Sequence, residues 1–223
     1  MVWGSVLDSR ASQRIRAFRG VRLAVGLLTI LALDPLLVSA NPGVDVRGRV
    51  SISVEGVKPA NFGHVAVYLA SAKDVPFDEP QQSLTIRQED AQFDPAFSVM
   101  TVGQVIDLPN LDRFFHNVFS YSKPNDFELG IYPAGETRSV KLTRPGVVRI
   151  YCSIHESMRA VVVVAPSPWH AITDASGAFV IRNVPPGEYQ INTYNEPLPP
   201  ETRDLKVVMG ESPFVEIVIG PKD

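Results

Sequence analysis

The chain has 223 residues, of which 45% are hydrophobic, and its formal net charge is −3 at pH 7. This acidic balance, without a basic cluster beyond residue 22, argues against a nucleic-acid-binding protein. The single cysteine, Cys152, excludes a disulfide within the chain. The length suffices for one large domain or two small ones.

Residues 1–40 have the features of a targeting segment. Five arginines from Arg10 to Arg22 precede an apolar run of eleven residues, 23–33, and small residues follow at 38–40. The apolar run is shorter than the roughly 20 residues that a membrane span needs. We therefore expect a signal peptide that is cleaved after Ala40, a periplasmic or secreted protein, and no stable membrane span after cleavage.

Beyond residue 40 the pattern is that of β-strands. Val, Ile, Phe and Tyr recur in short runs between Gly, Pro, Asn and Asp, and no run longer than about ten residues has a helical period. Residues 137–142 and 147–152 are interpreted as strands with one more polar and one more apolar face, whereas residues 160–164 are continuously apolar. The sequence therefore predicts an all-β protein built from β-sandwiches.

Four side chains suggest a metal site. Cys152 ends a predicted strand, His155 and Met158 follow in the next loop, and His116 comes from a distant strand. A Greek-key sandwich can bring these two regions together. Thiolate and thioether are soft ligands that suit Cu(I), whereas imidazole suits both Cu(I) and Cu(II). A plane of two histidines and one cysteine with a weak axial methionine serves either oxidation state, so this set predicts a blue-copper centre that passes single electrons.

The same residues allow other interpretations. Cys152 alone would be read as a small buried hydrophobic residue. Cys152 and His155 could be a nucleophile and its base, but their spacing at a strand end suits a shared metal better. Zinc favours Cys and His without a thioether. A multicopper enzyme would need further histidine clusters, and the chain has four histidines, of which His64 and His170 are expected to be structural or exposed. We therefore expect no catalytic activity.

The candidate ligands and their neighbours resemble the cupredoxin family, in particular plastocyanin and amicyanin. The resemblance covers about eighty residues and rests on Asn110, His116-Asn117-Val118, Pro145-Gly146 and the spacing Cys-x₂-His-x₂-Met, whose short loop is similar to that of amicyanin. It implies a Greek-key sandwich with one type 1 copper, held by His116, Cys152 and His155 as equatorial ligands and Met158 as the axial ligand. It also implies that Asn117 donates a hydrogen bond that steadies the loop or the thiolate.

The ligand loop departs from the family pattern in two places. Ile154 stands where relatives often have proline, and Glu156 and Ser157 lie where amicyanin-like loops are apolar. If the Glu156 carboxylate pointed inward, it would stabilise Cu(II) and lower the reduction potential. The phenylalanines of the aromatic stretch 114–119 are expected to pack in the core.

A second resemblance covers the C-terminal part of the chain. Residues 173–189, with their Asp-x-x-Gly and Pro-Pro-Gly turns, are similar to the carboxypeptidase regulatory-like (transthyretin-like) sandwich. Two strands that precede this phrase in that family have counterparts here upstream of the copper unit. We expect a discontinuous sandwich of residues 44–82 and 166–221 around a cupredoxin domain at 83–165, as in proteins that resemble methylamine utilisation proteins. Alternatively, residues 44–82 extend the cupredoxin sheet.

These features predict a carrier of single electrons in the periplasm or outside the cell. Its partner would be a redox protein, such as a cytochrome or a dehydrogenase, that it contacts only transiently. Two alternatives remain open: a copper-handling protein that captures or delivers the ion, and a binding or spacer module in which copper is incidental.

Overall fold

Every element of secondary structure in the described part of the chain is a β-strand, so the all-β prediction is confirmed. The computed structural model describes residues 43–54, 63–71 and 75–221, all of which belong to one unit, residues 40–223. Within these residues no helix is long and apolar enough to cross a membrane. The predicted signal peptide, residues 1–40, lies outside the described residues.

The strands are numbered in chain order and fall into two groups. The flanking group comprises β1 (Val44–Ile52), β2 (Ala66–Ser71), β13 (His170–Ile172), β14 (Ala178–Val184), β15 (Gly187–Tyr194), β16 (Thr202–Val207) and β17 (Phe214–Ile219). The central group comprises β3 (Leu84–Thr85), β4 (Arg87–Glu89), β5 (Gln92–Asp94), β6 (Phe97–Thr101), β7 (Val105–Pro109), β8 (His116–Ser120), β9 (Phe127–Tyr132), β10 (Thr137–Lys141), β11 (Gly146–Cys152) and β12 (Arg159–Ala165).

The flanking strands form a sandwich with its own hydrophobic core, here called the flanking sandwich. Its two sheets have the strand orders β14-β1-β17 and β13-β2-β15-β16. In β1, Val46 and Val50 are buried while Arg47 and Arg49 are exposed, as a half-buried strand requires. β1 is antiparallel to β14 and parallel to β17, and it is β2 that pairs with β15. Segments up to residue 75 and from residue 169 onward therefore share one core.

Strands β3 to β12 form the central sandwich, which contains the predicted site. The sheet β6-β12-β11-β8-β9 shares a core with the sheet β10-β7-β3, and the hairpin β4-β5 packs on the same core. Alternation along β11 buries Val148, Ile150 and Cys152. Full burial of an aliphatic side chain contributes about 1.5–3 kcal/mol. The strand that carries the cysteine is thus anchored by its own core residues.

Polar contacts join the two sandwiches. His170, which begins β13, has its Nε2 3.1 Å from the Oγ1 of Thr101 at the end of β6. Arg149 in β11 donates from Nε to the Glu196 carboxylate at 2.9 Å. Arg149 and Cys152 lie in the same strand, so this contact joins the flanking sandwich to the strand that carries the sulfur.

Candidate metal centre

The ligand loop begins and ends at the same point of the large sheet. Cys152 ends β11, and its N–H donates to the Met158 carbonyl at 3.2 Å. Within the loop, the Met158 N–H donates to the His155 carbonyl at 3.0 Å. His116 begins the neighbouring strand β8, in which Val118 is paired with Cys152. These pairings bring the distant histidine beside the loop.

The side chains of His116, Cys152 and His155 converge where β8 begins and β11 ends. The Sγ of Cys152 lies 3.6 Å from the Nδ1 of His116 and 3.8 Å from the Nδ1 of His155. All three ligand atoms lie within 4.8 Å of one another. A thiol has one hydrogen and can donate it to only one of these nitrogens, whereas a metal ion can bond to all three atoms.

The distances between the Cys152 sulfur and the two histidine nitrogens match those between two ligand atoms of one first-row metal ion. Bonds of about 2.3 Å to sulfur and about 2.0–2.1 Å to nitrogen, as for zinc, place the two ligand atoms roughly 3.5–3.8 Å apart at bond angles of about 110–120°. The observed sulfur–nitrogen distances are 3.6 and 3.8 Å. One thiolate and two imidazoles, with a thioether residue in the same loop, are a donor set suited to copper. The residues present therefore fit a copper ion.

Met158, at the end of the ligand loop, is buried. Only 1% of its surface is exposed, and it belongs to the same core cluster as Cys152. Its backbone is hydrogen bonded to both Cys152 and His155. The thioether residue is thus packed inside the sandwich at the ligand loop and is not part of the surface.

The cluster reaches the surface through one histidine. His116 is fully buried and Cys152 is 5% exposed, whereas His155 is partly exposed. The Phe114 ring lies beside both imidazoles, with its centroid 5.0 Å from that of His155 and 5.2 Å from that of His116. His155 is therefore the member of the cluster that another molecule can approach.

The expectation that the phenylalanines of stretch 114–119 pack in the core is wrong for two of them. Phe114 and Phe115 are 42% and 56% exposed, and Phe119 is partly exposed. The two exposed rings belong to the loop before β8, so strand alternation does not direct them inward. With two further exposed apolar side chains of this loop and of the ligand loop they are here called the apolar rim: Leu111, Phe114, Phe115 and Ile154.

Asn117 links β8 to the ligand loop. Its Nδ2 donates to the Oγ of Ser153 at 2.9 Å, and the Ser153 N–H donates to the Asn117 carbonyl at 3.2 Å. The same Nδ2 lies 3.4 Å from the Oε1 of Glu128. Because Ser153 directly follows Cys152, these bonds hold the start of the loop against β8. Of the two roles expected for Asn117, the contacts support steadying of the loop.

Asp112 is a buried neighbour of the cluster that sequence reasoning missed. Its Oδ2 lies 2.9 Å from the Nε2 of His116. Burial alone would raise the pKa of Asp112, but hydrogen bonds from His116 and from the backbone N–H groups of Ala91 and Asp90 outweigh this effect and hold the pKa below its ordinary value. Asp112 and His116 are four residues apart, but the chain between them is a loop without periodicity, so no sequence pattern signals their contact.

Glu156 and the other two histidines do not join the cluster. Glu156 is exposed to solvent, so it does not have the inward orientation that would strongly affect a bound ion. His64 has its Nδ1 3.0 Å from the Thr173 carbonyl oxygen, and burial lowers the pKa of His170 to about 4. Both histidines belong to the flanking part of the chain.

Solved structures that are similar to part of this chain are cupredoxins. A purple cupredoxin from Nitrosopumilus maritimus is 20% identical, with 37% of this chain and 100% of that chain covered, at a TM-score of 0.34. A reduced amicyanin variant is 17% identical over 44% of this chain and 98% of its own, at a TM-score of 0.35. A Cu(I) amicyanin variant is 16% identical, with the same coverage and TM-score. No family model and no curated protein matches the chain.

Proposed function

We propose that this protein is a periplasmic or secreted type 1 copper protein that carries single electrons between redox partners. The observation that carries the proposal is the convergence of the Cys152 sulfur with the Nδ1 atoms of His116 and His155 at distances that fit a copper ion. These three atoms would hold one copper, and Met158 would supply the weak thioether ligand that the sequence predicts. Such a set supplies one-electron chemistry with little change in geometry.

The protein's own contribution is to hold the ligands in one arrangement for both oxidation states. Cys152 is fixed by the pairing of β11 with β8, and the loop that follows it is tied to β8 by Asn117. His116 is completely buried. Because strand pairing, burial and the bond to Ser153 limit the movement of these groups, the protein favours fast electron exchange over rearrangement.

Electrons would enter and leave through the His155 ring. This ring is partly exposed and lies beside the apolar rim. An apolar surface allows contact without long-lived charge pairing, and weak redox encounters bury less than about 1,200 Å². We propose that a redox protein, such as a cytochrome or a dehydrogenase, docks there transiently.

We propose a carrier and not an enzyme. A multicopper enzyme needs additional histidine clusters, whereas the other two imidazoles, those of His64 and His170, are engaged in hydrogen bonds elsewhere in the described structure. This feature supports a role in electron transfer alone.

We also propose that the flanking sandwich is a carboxypeptidase regulatory-like module, made of residues 44–82 and 166–221, into which a cupredoxin domain at 83–165 is inserted. The pairing of β1 with β14 and β17, and of β2 with β13 and β15, supports this arrangement. The two separate hydrophobic cores also support it. The module would then brace the copper domain through contacts such as that of Arg149 with Glu196.

Cyclic voltammetry of the copper-loaded protein tests the proposed function. Fast and reversible one-electron exchange is the expected result. Sluggish exchange combined with very tight Cu(I) binding would instead indicate a protein that captures or delivers copper. The matched control is Cys152→Ser, which replaces the thiol by a hydroxyl. This variant should lose both the blue colour and the exchange, and if it kept the biological role, copper would be incidental.

A further inference from the structure

The buried contact between Asp112 and His116 defines which nitrogen of the ring is free for a metal. The Nδ1 of His116 faces the Cys152 sulfur at 3.6 Å, and its Nε2 lies 2.9 Å from the Oδ2 of Asp112. If Nδ1 binds an ion, Nε2 keeps its hydrogen and donates it to the carboxylate. Metal-bound histidines generally use their second nitrogen in this way, and the partner fixes both the tautomer and the ring orientation.

The carboxylate of Asp112 is itself held from the opposite side. Its Oδ1 accepts the N–H of Asp90 at 2.7 Å, and its Oδ2 accepts the N–H of Ala91 at 3.1 Å. These two residues form the turn of the β4-β5 hairpin, with φ of 54° and 53°. The backbone N–H of Asp112 donates to the Oδ1 of the buried Asn110 at 3.0 Å. With these anchors the carboxylate stays directed at His116.

We propose that Asp112 is a positioning residue that fixes the His116 ring and favours the oxidised form of the bound copper, so that it lowers the reduction potential. The inference rests on the proposed function, because it concerns an ion held by His116. The Asp112 side chain is 8% exposed, so water screens its negative charge only weakly. This charge attracts a doubly charged ion more strongly than a singly charged one. The hydrogen bond also makes the imidazole a more basic ligand, which acts in the same direction.

Glu156 offers a matched control for the charge of Asp112. It lies in the ligand loop directly after His155, but it is exposed and makes no hydrogen bond with either histidine ring in the described structure. Asp112→Asn and Glu156→Gln each remove one negative charge from the neighbourhood of the site. A specific effect of Asp112 must therefore exceed the effect of Glu156.

The experiment compares the copper-loaded wild type with these two variants by voltammetry, competition for Cu(II) and thermal unfolding. Asp112→Asn should lower the ratio of Cu(II) affinity to Cu(I) affinity at least tenfold. For a one-electron couple, a tenfold decrease in this ratio raises the reduction potential by about 59 mV. The substitution should also weaken Cu(II) binding about 10–100-fold. Glu156→Gln should shift the potential much less. If Asp112 only stabilises the hairpin turn, Asp112→Asn would lower the unfolding temperature and leave the reduction potential unchanged. That result would overturn the inference.

Two further outcomes separate this inference from the proposed function. Equal potential shifts in both variants would overturn the role of Asp112 and leave a functioning blue-copper protein. A wild type that binds no copper would overturn both proposals.

A measurement on the wild type keeps the inference testable if Asp112→Asn does not fold. In the protein loaded with Cu(I), long-range proton–nitrogen NMR should show His116 protonated at Nε2, with a proton that exchanges slowly with water. Rapid exchange of this proton, or a His116 ring without a proton at Nε2, would overturn the inference.

Discussion

Acid should destabilise the protein through His170, a partly buried histidine that contacts both sandwiches. Its Nε2 lies 3.1 Å from the Oγ1 of Thr101, and burial lowers its pKa from 6.5 to about 4. Between these two values the unfolded chain binds a proton that the folded protein does not. The contribution of neutral His170 to stability is therefore complete above pH 6.5, falls as the pH decreases, and is lost once the pH is below about 4.

The structure sets the size of this effect. The pKa difference of roughly 2.5 units for His170 corresponds to about 3 kcal/mol, at 1.36 kcal/mol for each unit. Proteins of this kind are usually stable by about 5–15 kcal/mol, so the loss is a substantial part of the free energy of unfolding.

Denaturant titrations of the copper-free wild type and of His170→Gln, at pH 7, 5.5 and 4, measure the effect. Glutamine does not titrate but can still bond to the Thr101 hydroxyl. The wild type should lose about 3 kcal/mol more than the variant between pH 7 and pH 4. Carboxyls whose pKa is lowered by hydrogen bonds, such as those of Asp107 and Asp174, are the same in both proteins and lose their contribution mainly below pH 3.8. Parallel pH curves for the two proteins would refute the reasoning.

Three other changes test the site and the fold. Met158→Leu, which nearly conserves volume, should leave a coloured copper protein with a raised potential in voltammetry, and loss of all copper would contradict the axial assignment. Asn117→Ala removes the bond to Ser153 and should weaken copper binding about 10–100-fold in a competition assay, so an unchanged affinity would exclude its role. Gly177→Ala should lower the unfolding free energy well beyond the roughly 1–2 kcal/mol of left-handed strain, since its Cβ would lie 2.1 Å from the Val50 carbonyl oxygen. The control Gly135→Ala, with the same φ of 79° and open space around it, should cost only that strain, and equal losses in denaturant titrations would contradict the steric argument.

The all-β class was predictable because alternation along a strand is a local property. The burial of Val148, Ile150 and Cys152 on one face of β11 follows from the two-residue period of side chains along a strand. Strand pairing depends on residues far apart in the chain, and the sequence does not encode it locally. Thus no local pattern in the sequence predicts the parallel pairing of β1 with β17.

The same distinction applies to the site. His155 is three residues from Cys152, so their convergence needs only a tight loop, and the spacing predicted it. The Asp112 contact instead depends on how the loop before β8 folds against the β4-β5 turn. The exposure of Phe115 was missed because hydrophobicity predicts burial only where an element directs the side chain inward.

The optical and EPR spectra of the copper-loaded protein test the central claim most directly. If the Cys152 thiolate and the imidazoles of His116 and His155 hold one copper, cupric salt should give the protein an intense blue colour and the EPR signal of a single type 1 Cu(II), and Cys152→Ser should abolish both. A colourless protein that binds no copper, or a blue colour that survives in Cys152→Ser, would contradict the claim.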